Sequence, residues 1–246
     1  MLSTEGHGSA SALPSSLTSR LAISQEIDLV VAELRARSYS PGIVLEPEAI
    51  REIESEARLR RGLKNRTGVI HGNYDSISEA ERAEIAIFTI HESSEIPVIG
   101  EIAGDPLVFD VARRFLGYRP REVSTWLFWS LANDMSPSHR QSFQTVDFHY
   151  DVDGFNFLYL NFYITATDRS SGAHGLIPGS HRGKSLRHLL GSARRSDSET
   201  ASVYGPSAEA VIEGPAGYGF FEDASCFHRA HIPADSDRLM LQLRIR

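Results

Sequence analysis

The fold is indicated most clearly by residues 157–165, which read FLYLNFYIT. Successive side chains of a β-strand point to opposite faces of the sheet. One face of this stretch is wholly apolar and consists of Leu158, Leu160, Phe162 and Ile164. The other face carries hydrogen-bonding groups on Tyr159, Asn161 and Tyr163. We therefore predict a strand with one face in a covered core and the other lining a pocket, although the polar set could also face water.

The same alternation recurs at the end of the sequence, in residues 238–246 (RLMLQLRIR). Leucine and isoleucine side chains occupy one face, whereas Arg238, Gln242 and Arg244 share the other. A planar guanidinium can hold a carboxylate through two hydrogen bonds. Arg244 lies six residues beyond Arg238, or roughly 20 Å along a strand at about 3.3 Å per residue. Of the two, Arg238 is the stronger candidate for an anion anchor on the pocket-facing side.

Upstream of the first strand, the segment Phe148-His149-Tyr150-Asp151 also alternates, with polar Gln144 before it. In a strand, His149 and Asp151 would point to the same face, so that an imidazole nitrogen and a carboxylate oxygen converge. Such a pair recurs by chance, and a plain surface pair explains it equally well without a third ligand. His228 can supply the second imidazole, with His231 as its main rival and His174 as a weaker one. Two histidines and one carboxylate form the facial triad of non-haem Fe(II) oxygenases.

Taken in order, these motifs resemble the phytanoyl-CoA dioxygenase family. The resemblance rests on His149-Tyr150-Asp151, the run GAHGLIPGSH at 172–181, and His228 followed by Arg238. It covers about residues 123–246, half of the chain. It implies an α+β, mainly β fold with a double-stranded β-helix core of the jelly-roll, cupin-like kind, and N-terminal helices packed on one sheet.

The resemblance also implies a chemistry. Fe(II) would be held by His149, Asp151 and His228, and Arg238 would bind the distal carboxylate of 2-oxoglutarate. With O₂, the enzyme would hydroxylate a small molecule and release succinate and CO₂. In related halogenases a small residue replaces the carboxylate ligand, so Asp151 favours hydroxylation, while desaturation and ring formation stay open.

The choice of third ligand follows from the resemblance, and the other site residues follow from the polar faces of the predicted strands. The family usually separates the last ligand from the arginine by more than seven residues, which favours His228 over His231. Asn161 becomes a candidate contact for 2-oxoglutarate. The candidate substrate contacts are Tyr159, Tyr163, Gln144 and Gln242.

Two other classes fit parts of the pattern. A metal-bound barrel could use the same triad for non-redox chemistry as an isomerase or a hydrolase, and it would need neither Arg238 nor O₂. A non-catalytic sensor or structural barrel would need neither a regular pocket face nor all three ligands.

Composition bears on the number of domains, the kind of partner and the redox environment of the protein. The 246 residues, 41% of them hydrophobic, suffice for one core, and we expect a disordered tail at 1–20 before a single domain at 21–246. The net charge of −7 argues against nucleic acid as a partner, and no apolar run reaches the roughly 18 residues of a membrane span. The single cysteine, Cys226, excludes an internal disulfide, fits a reducing cytoplasm, and is expected to be a small buried hydrophobe.

Four helices are predicted in the first half, packed on one face of the later sheet. Ser24 is expected to cap the first, Glu46-Pro47 opens the second, the capping box Ser78–Glu81 starts a third through Phe88, and Asp105-Pro106 starts a fourth. Short strands are predicted at 43–45, 124–131, 210–213 and 218–222. Between the site motifs we expect a helical insert through Leu186, Leu189 and Leu190, and then a polar, irregular lid over 191–207.

Overall fold

The structure is a computed structural model that describes residues 19–65, 67–152, 156–182, 184 and 192–246. Most of the predicted tail and the predicted insert helix lie outside these ranges. The helices within them are α1 Ile27–Arg37, α2 Pro47–Leu59, α3 Glu79–Arg82, α4 Pro97–Ala103, α5 Pro106–Leu116, α6 Pro137–Arg140 and α7 Asp197–Tyr204. None of the helices in the described ranges is long and apolar enough to cross a lipid bilayer.

The strands are short except for a few in the centre of the molecule. They are β1 Leu21–Ile23, β2 Tyr39–Leu45, β3 Arg61–Lys64, β4 Ile70–Asn73, β5 Ile87–Ile90, β6 Val123–Ser130, β7 Phe148–His149, β8 Leu158–Tyr163, β9 His174–Leu176, β10 Arg194–Arg195, β11 Ala210–Ile212, β12 Tyr218–Glu222, β13 His228–Ala230 and β14 Arg238–Ile245.

These strands form two antiparallel sheets. The larger has nine strands in the order β1-β2-β12-β8-β14-β6-β5-β3-β4, and the smaller has five in the order β10-β7-β13-β9-β11. Strand β14 is a central strand of the larger sheet. It pairs with β6 along its whole length and with β8 from Met240 to Ile245. The two strands with the clearest alternation, β8 and β14, are therefore neighbours. Their apolar faces lie on the same side of the sheet.

The outer face of the larger sheet carries the main core. Leu158, Leu160 and Phe162 of β8 pack there with Leu241 and Leu243 of β14. Buried residues of α1, α2, α4 and α5 complete the same cluster, among them Leu34, Ile53, Ile99 and Val111. Burial of this apolar area is the main source of stability. The predicted packing of N-terminal helices on one sheet face is confirmed.

Helix boundaries follow local chemistry at some ends but not at others. The second and fourth predicted helices begin as expected, with Pro47 opening α2 and the Asp105 carboxylate accepting from the Leu107 amide at 2.8 Å before α5. The expected Ser24 cap is wrong: α1 starts after Glu26, and the Ser24 hydroxyl donates to the Gly42 carbonyl instead.

The third predicted helix is also wrong over most of its length. The capping box Ser78–Glu81 forms, but α3 ends at Arg82. Ile87 and Phe88 belong to β5, which pairs with both β6 and β3. Pairing with two neighbouring strands outweighs the local helical pattern. The expected irregularity of 191–207 is wrong as well, because a second capping box, Ser196–Glu199, starts α7.

Candidate metal centre and its cavity

The three proposed ligands are brought together by the smaller sheet. His149 of β7 lies opposite His228 of β13 in the register of the two strands, and Asp151 follows two residues after His149. The His149 Nε2 atom lies 3.8 Å from Asp151 Oδ1, and His228 Nε2 lies 4.0 Å from Asp151 Oδ2. One ligand atom from each residue lies within 4.8 Å of the other two, so a single ion can be reached by all three.

Backbone carbonyls hold both imidazoles from behind. His149 Nδ1 lies 3.1 Å from the Asp147 carbonyl oxygen, and His228 Nδ1 lies 3.1 Å from the Cys226 carbonyl oxygen. Because a carbonyl only accepts, each Nδ1 donates and each Nε2 keeps a lone pair for a metal, which is the usual outer arrangement of metal-binding histidines. Burial, aided by the neighbouring His228, lowers the pKa of His149 to about 3, so this ring is neutral at physiological pH.

The carboxylate of Asp151 is also oriented. The Tyr159 hydroxyl donates to Asp151 Oδ2 at 3.0 Å, and the Asp151 amide donates to the Ala224 carbonyl at 2.9 Å. Burial and the adjacent Asp151 charge raise the pKa of Tyr159, which keeps the hydroxyl protonated as a donor. These bonds fix the carboxylate between the two imidazoles, with Oδ1 towards His149 Nε2 and Oδ2 towards His228 Nε2.

A second carboxylate, Glu222, lies directly beneath the triad and is wholly buried. It accepts from His174 Nε2 at 2.9 Å and from Asn161 Nδ2 at 3.1 Å, and it lies 3.7 Å from His228 Nδ1. Burial alone would raise the pKa of Glu222, but the imidazoles of His174 and His228 outweigh it and lower the pKa to about 2. Sequence reasoning missed this residue. Its only signal was an acidic side chain at the end of the apolar strand YGFFE.

The triad opens into a cavity of about 550 Å³ between the two sheets. The predicted residues Tyr159, Gln144, Gln242 and Arg238 line it, together with Trp126, Phe128, His174, Arg229 and Arg244. Asn161 and Tyr163 differ from expectation. Both are wholly buried and lie behind the lining: Asn161 is bonded to Glu222, and the Tyr163 hydroxyl donates to the Ile212 carbonyl at 2.9 Å.

Arg238 is the notable cation of the cavity. Its side chain is buried, its Nη2 donates to Ser130 Oγ at 3.0 Å, and its Nη1 donates to the Gly172 carbonyl. Its Nε has no hydrogen-bond partner, and no carboxylate in the described ranges pairs with this guanidinium. Burial lowers the pKa of Arg238. A buried cation with only neutral partners is costly, and an anion entering the cavity would relieve that cost.

The rival histidines are engaged elsewhere. His231 Nε2 lies 2.9 Å from Glu209 Oε1, and the same carboxylate pairs with Arg229 at 2.8 Å. His174 lies in strand β9, and its Nε2 is bonded to Glu222. Cys226 is a buried free thiol, as expected, with Sγ 3.8 Å from Glu222 Oε1.

The run GAHGLIPGSH has a structural role next to the site. The Ser180 hydroxyl is buried, accepts from the Phe227 amide at 2.8 Å and donates to the Ile177 carbonyl at 2.7 Å. It therefore fixes the residue immediately before His228.

No protein-family model matches the chain, and no curated protein matches it in sequence. Solved structures do match its fold. The non-heme alpha ketoglutarate dependent epimerase SnoN from nogalamycin biosynthesis superimposes with a TM-score of 0.61 and 16% identity, over 89% of this chain and 82% of SnoN. EvdO2 from Micromonospora carbonacea var. aurantiaca, complexed with 2-oxoglutarate, gives 0.60 and 16% identity over 91% and 92% of the two chains.

HygX from Streptomyces hygroscopicus, with nickel and 2-oxoglutarate bound, gives a TM-score of 0.61 and 11% identity over 88% of this chain and 85% of HygX. At these identities the likeness shows a shared fold.

Proposed function

We propose that this protein is a non-haem Fe(II)- and 2-oxoglutarate-dependent oxygenase of a small molecule, built on a double-stranded β-helix as in the phytanoyl-CoA dioxygenase family. One observation carries the proposal. A three-ligand metal site and a buried arginine that pairs with no described carboxylate, Arg238, line the same cavity. SnoN, EvdO2 and HygX, which share the fold, bind or depend on 2-oxoglutarate by their descriptions.

The donor set suits the group. Two imidazoles and one carboxylate are the protein ligands of non-haem Fe(II) oxygenases, and such a set leaves positions open for the cosubstrate and O₂. His149, Asp151 and His228 would hold the iron, and Arg238 would bind the distal carboxylate of 2-oxoglutarate through a charge-assisted bond. Bound iron, with 2-oxoglutarate and O₂, would supply the oxidant for an unactivated C–H bond, with release of succinate and CO₂.

The chain's own residues position and protect that chemistry. Tyr159 holds Asp151 in place, and the carbonyls of residues 147 and 226 hold the two imidazoles. Trp126 and Phe128 give the cavity aromatic walls. The presence of Asp151, where related halogenases have a small residue, favours hydroxylation. Since SnoN is an epimerase, product analysis must separate hydroxylation from other outcomes of the same oxidant.

The test is an anaerobic titration of Fe(II)-loaded protein with 2-oxoglutarate, read by the weak visible charge-transfer band of the chelate. Wild type and His231→Ala should develop the band, because His231 is bonded to Glu209 and not to the metal. His228→Ala should not develop it. Folded, iron-loaded wild type without a band would reject the proposal and favour non-redox chemistry at the same triad.

A further inference from the structure

Four polar side chains form a hydrogen-bonded chain beneath the cavity floor, in the order His174, Glu222, Asn161, Gln242. The bonds measure 2.9 Å from His174 Nε2 to Glu222, 3.1 Å from Asn161 Nδ2 to Glu222, and 3.0 Å from Gln242 Nε2 to Asn161 Oδ1. The two middle members are wholly buried, and the two end members line the cavity. A buried carboxylate is thus connected to the cavity wall.

Glu222 sets the direction of every bond in this chain. A carboxylate only accepts, and three donors converge on it: His174 Nε2, Asn161 Nδ2 and Cys226 Sγ. Asn161 must therefore turn its NH₂ group towards Glu222 and its oxygen towards Gln242. Gln242 must then donate through Nε2, which leaves its Oε1 for the cavity.

The end of this hydrogen-bond series that faces the cavity, Gln242 Oε1, is therefore an acceptor. Gln242 Oε1 accepts no hydrogen bond from the described residues, and it is not among their enclosed polar atoms without a partner. Gln242 lies on β14 between Arg238 and Arg244, and its cross-strand neighbour Trp126 supplies an aromatic wall.

We infer that the substrate presents a hydrogen-bond donor, a hydroxyl or an N–H group, to Gln242 Oε1, and that Glu222 enforces this choice from outside the cavity. The inference rests on the proposed function only in taking this cavity to be the substrate site. A ligand that places an acceptor atom against Gln242 Oε1 brings two acceptors together and binds more weakly. A ligand with a donor at this position forms a hydrogen bond and binds more tightly.

The test compares indole with benzofuran, two ring systems of nearly equal shape that carry an N–H donor and a ring oxygen respectively. Equilibrium dialysis of the full chain, once without metal and once with Ni(II) and 2-oxoglutarate, measures each affinity. Wild type should bind indole about three- to tenfold more tightly, the range of one net hydrogen bond. Gln242→Leu removes the acceptor and should equalise the two probes.

Glu222→Gln is the sharper variant, because it alters no residue that lines the cavity. The new amide would accept from His174 and donate to Asn161, which reverses Asn161 and Gln242 and turns an NH₂ group into the cavity. The indole preference should fall at least about threefold or invert.

Equal binding of the two probes by wild type, binding of neither, or a preference that survives Gln242→Leu would overturn the inference. If Glu222→Gln does not fold, Gln242→Leu decides alone; if it folds and keeps the full indole preference, Glu222 does not control the choice and that part is rejected. An intact preference in protein that gives no 2-oxoglutarate band would reject the proposed function and leave this inference standing.

Discussion

His228 and His231 lie three residues apart in one segment, yet their imidazoles are held in different ways. The His228 ring is held through Nδ1 by a carbonyl, which leaves Nε2 4.0 Å from Asp151. The His231 ring is held through Nε2 by Glu209, which also pairs with Arg229. The comparison shows that metal-binding capacity depends on which ring nitrogen the fold has already engaged, and not on residue type alone.

Two arginines of the cavity wall differ in the same way. Arg229 is paired with Glu209 at 2.8 Å and with Asp197 at 2.7 Å. Arg238 has only a hydroxyl and a carbonyl as hydrogen-bond partners in the described ranges. We therefore expect Arg229 to stabilise the fold around α7 and Arg238 to bind an anionic ligand.

Replacing each of the two histidines by alanine should give the largest difference in metal affinity. His228→Ala should weaken Co(II) binding by more than about a hundredfold, beyond the 10–100-fold range of outer changes, and His231→Ala by less than about threefold. Isothermal calorimetry on the two variants makes the comparison directly. Comparable losses of Co(II) affinity in the two variants would mean that His231 contributes to metal binding as much as His228 does.

The arginine pair should separate ligand binding from stability. If Arg238 binds 2-oxoglutarate as proposed, Arg238→Met removes those charged hydrogen bonds and should weaken 2-oxoglutarate binding about thirtyfold, with metal affinity unchanged. Arg229→Met should leave the cosubstrate affinity intact and lower the melting temperature instead. Titration with 2-oxoglutarate and a thermal melt of each variant measure both quantities. Unchanged cosubstrate affinity in Arg238→Met would direct attention to Arg244.

Loss of the bond that orients Asp151 should have a smaller effect. Tyr159→Phe deletes the 3.0 Å hydrogen bond to Asp151 and should weaken metal binding about tenfold. Tyr163→Phe is the matched control, since its hydroxyl bonds the Ile212 carbonyl and not the triad. Metal titrations in which both variants behave alike would remove the assigned role of Tyr159.

The smallest effect should come from the ion pairs of Glu209 with His231 and Arg229, whose contribution to stability should depend on pH. Burial would raise the pKa of Glu209, but hydrogen bonds from His231 and Arg229 outweigh it and lower the pKa to about 2. The folded pKa lies below the unfolded value of about 4.3, so the stabilisation is present above that pH and is lost as the pH falls towards 2.

Glu209→Gln should therefore lower the free energy of unfolding by about 1 kcal/mol at neutral pH, and the difference from wild type should shrink between about pH 4.5 and pH 2. Urea unfolding of both proteins across this range provides the measurement. A constant difference down to pH 2.5 would contradict the assigned ion pairs.

The sequence predicted the strands well, including the short strands at 210–213 and 218–222, and failed where a helical and a strand pattern overlap. In β8 and β14 the period-two pattern runs for six residues or more, and the apolar set of each strand lies in the main core. Around Ile87 and Phe88, a genuine capping box was followed by residues that suit helix and strand equally. Pairing with β6 and β3 settled the matter, and neither partner is close in sequence.

The site shows the same division. The polar face of β14 was predicted from parity, and Arg238, Gln242 and Arg244 all line the cavity. Asn161 and Tyr163 have the expected parity in β8 but lie behind the lining. Alternation specifies the face on which a side chain lies. It does not specify which partners the side chain finds there: Asn161 is bonded to Glu222 and Gln242, and the Tyr163 hydroxyl to the Ile212 carbonyl.

The sequence by itself therefore determined the ligand types, their spacing and the pocket-facing strands, because these depend on neighbours within one element. Only the tertiary structure decided which imidazole keeps a free Nε2, which arginine pairs with no described carboxylate, and where the carboxylate of Glu222 lies. Each of these depends on hydrogen bonds between residues far apart in the chain, such as His174 to Glu222 and Gln242 to Asn161. Gln242 and Asn161 meet through the register of β14 with β8 in one sheet, whereas His174 and Glu222 meet only when the two sheets pack against each other.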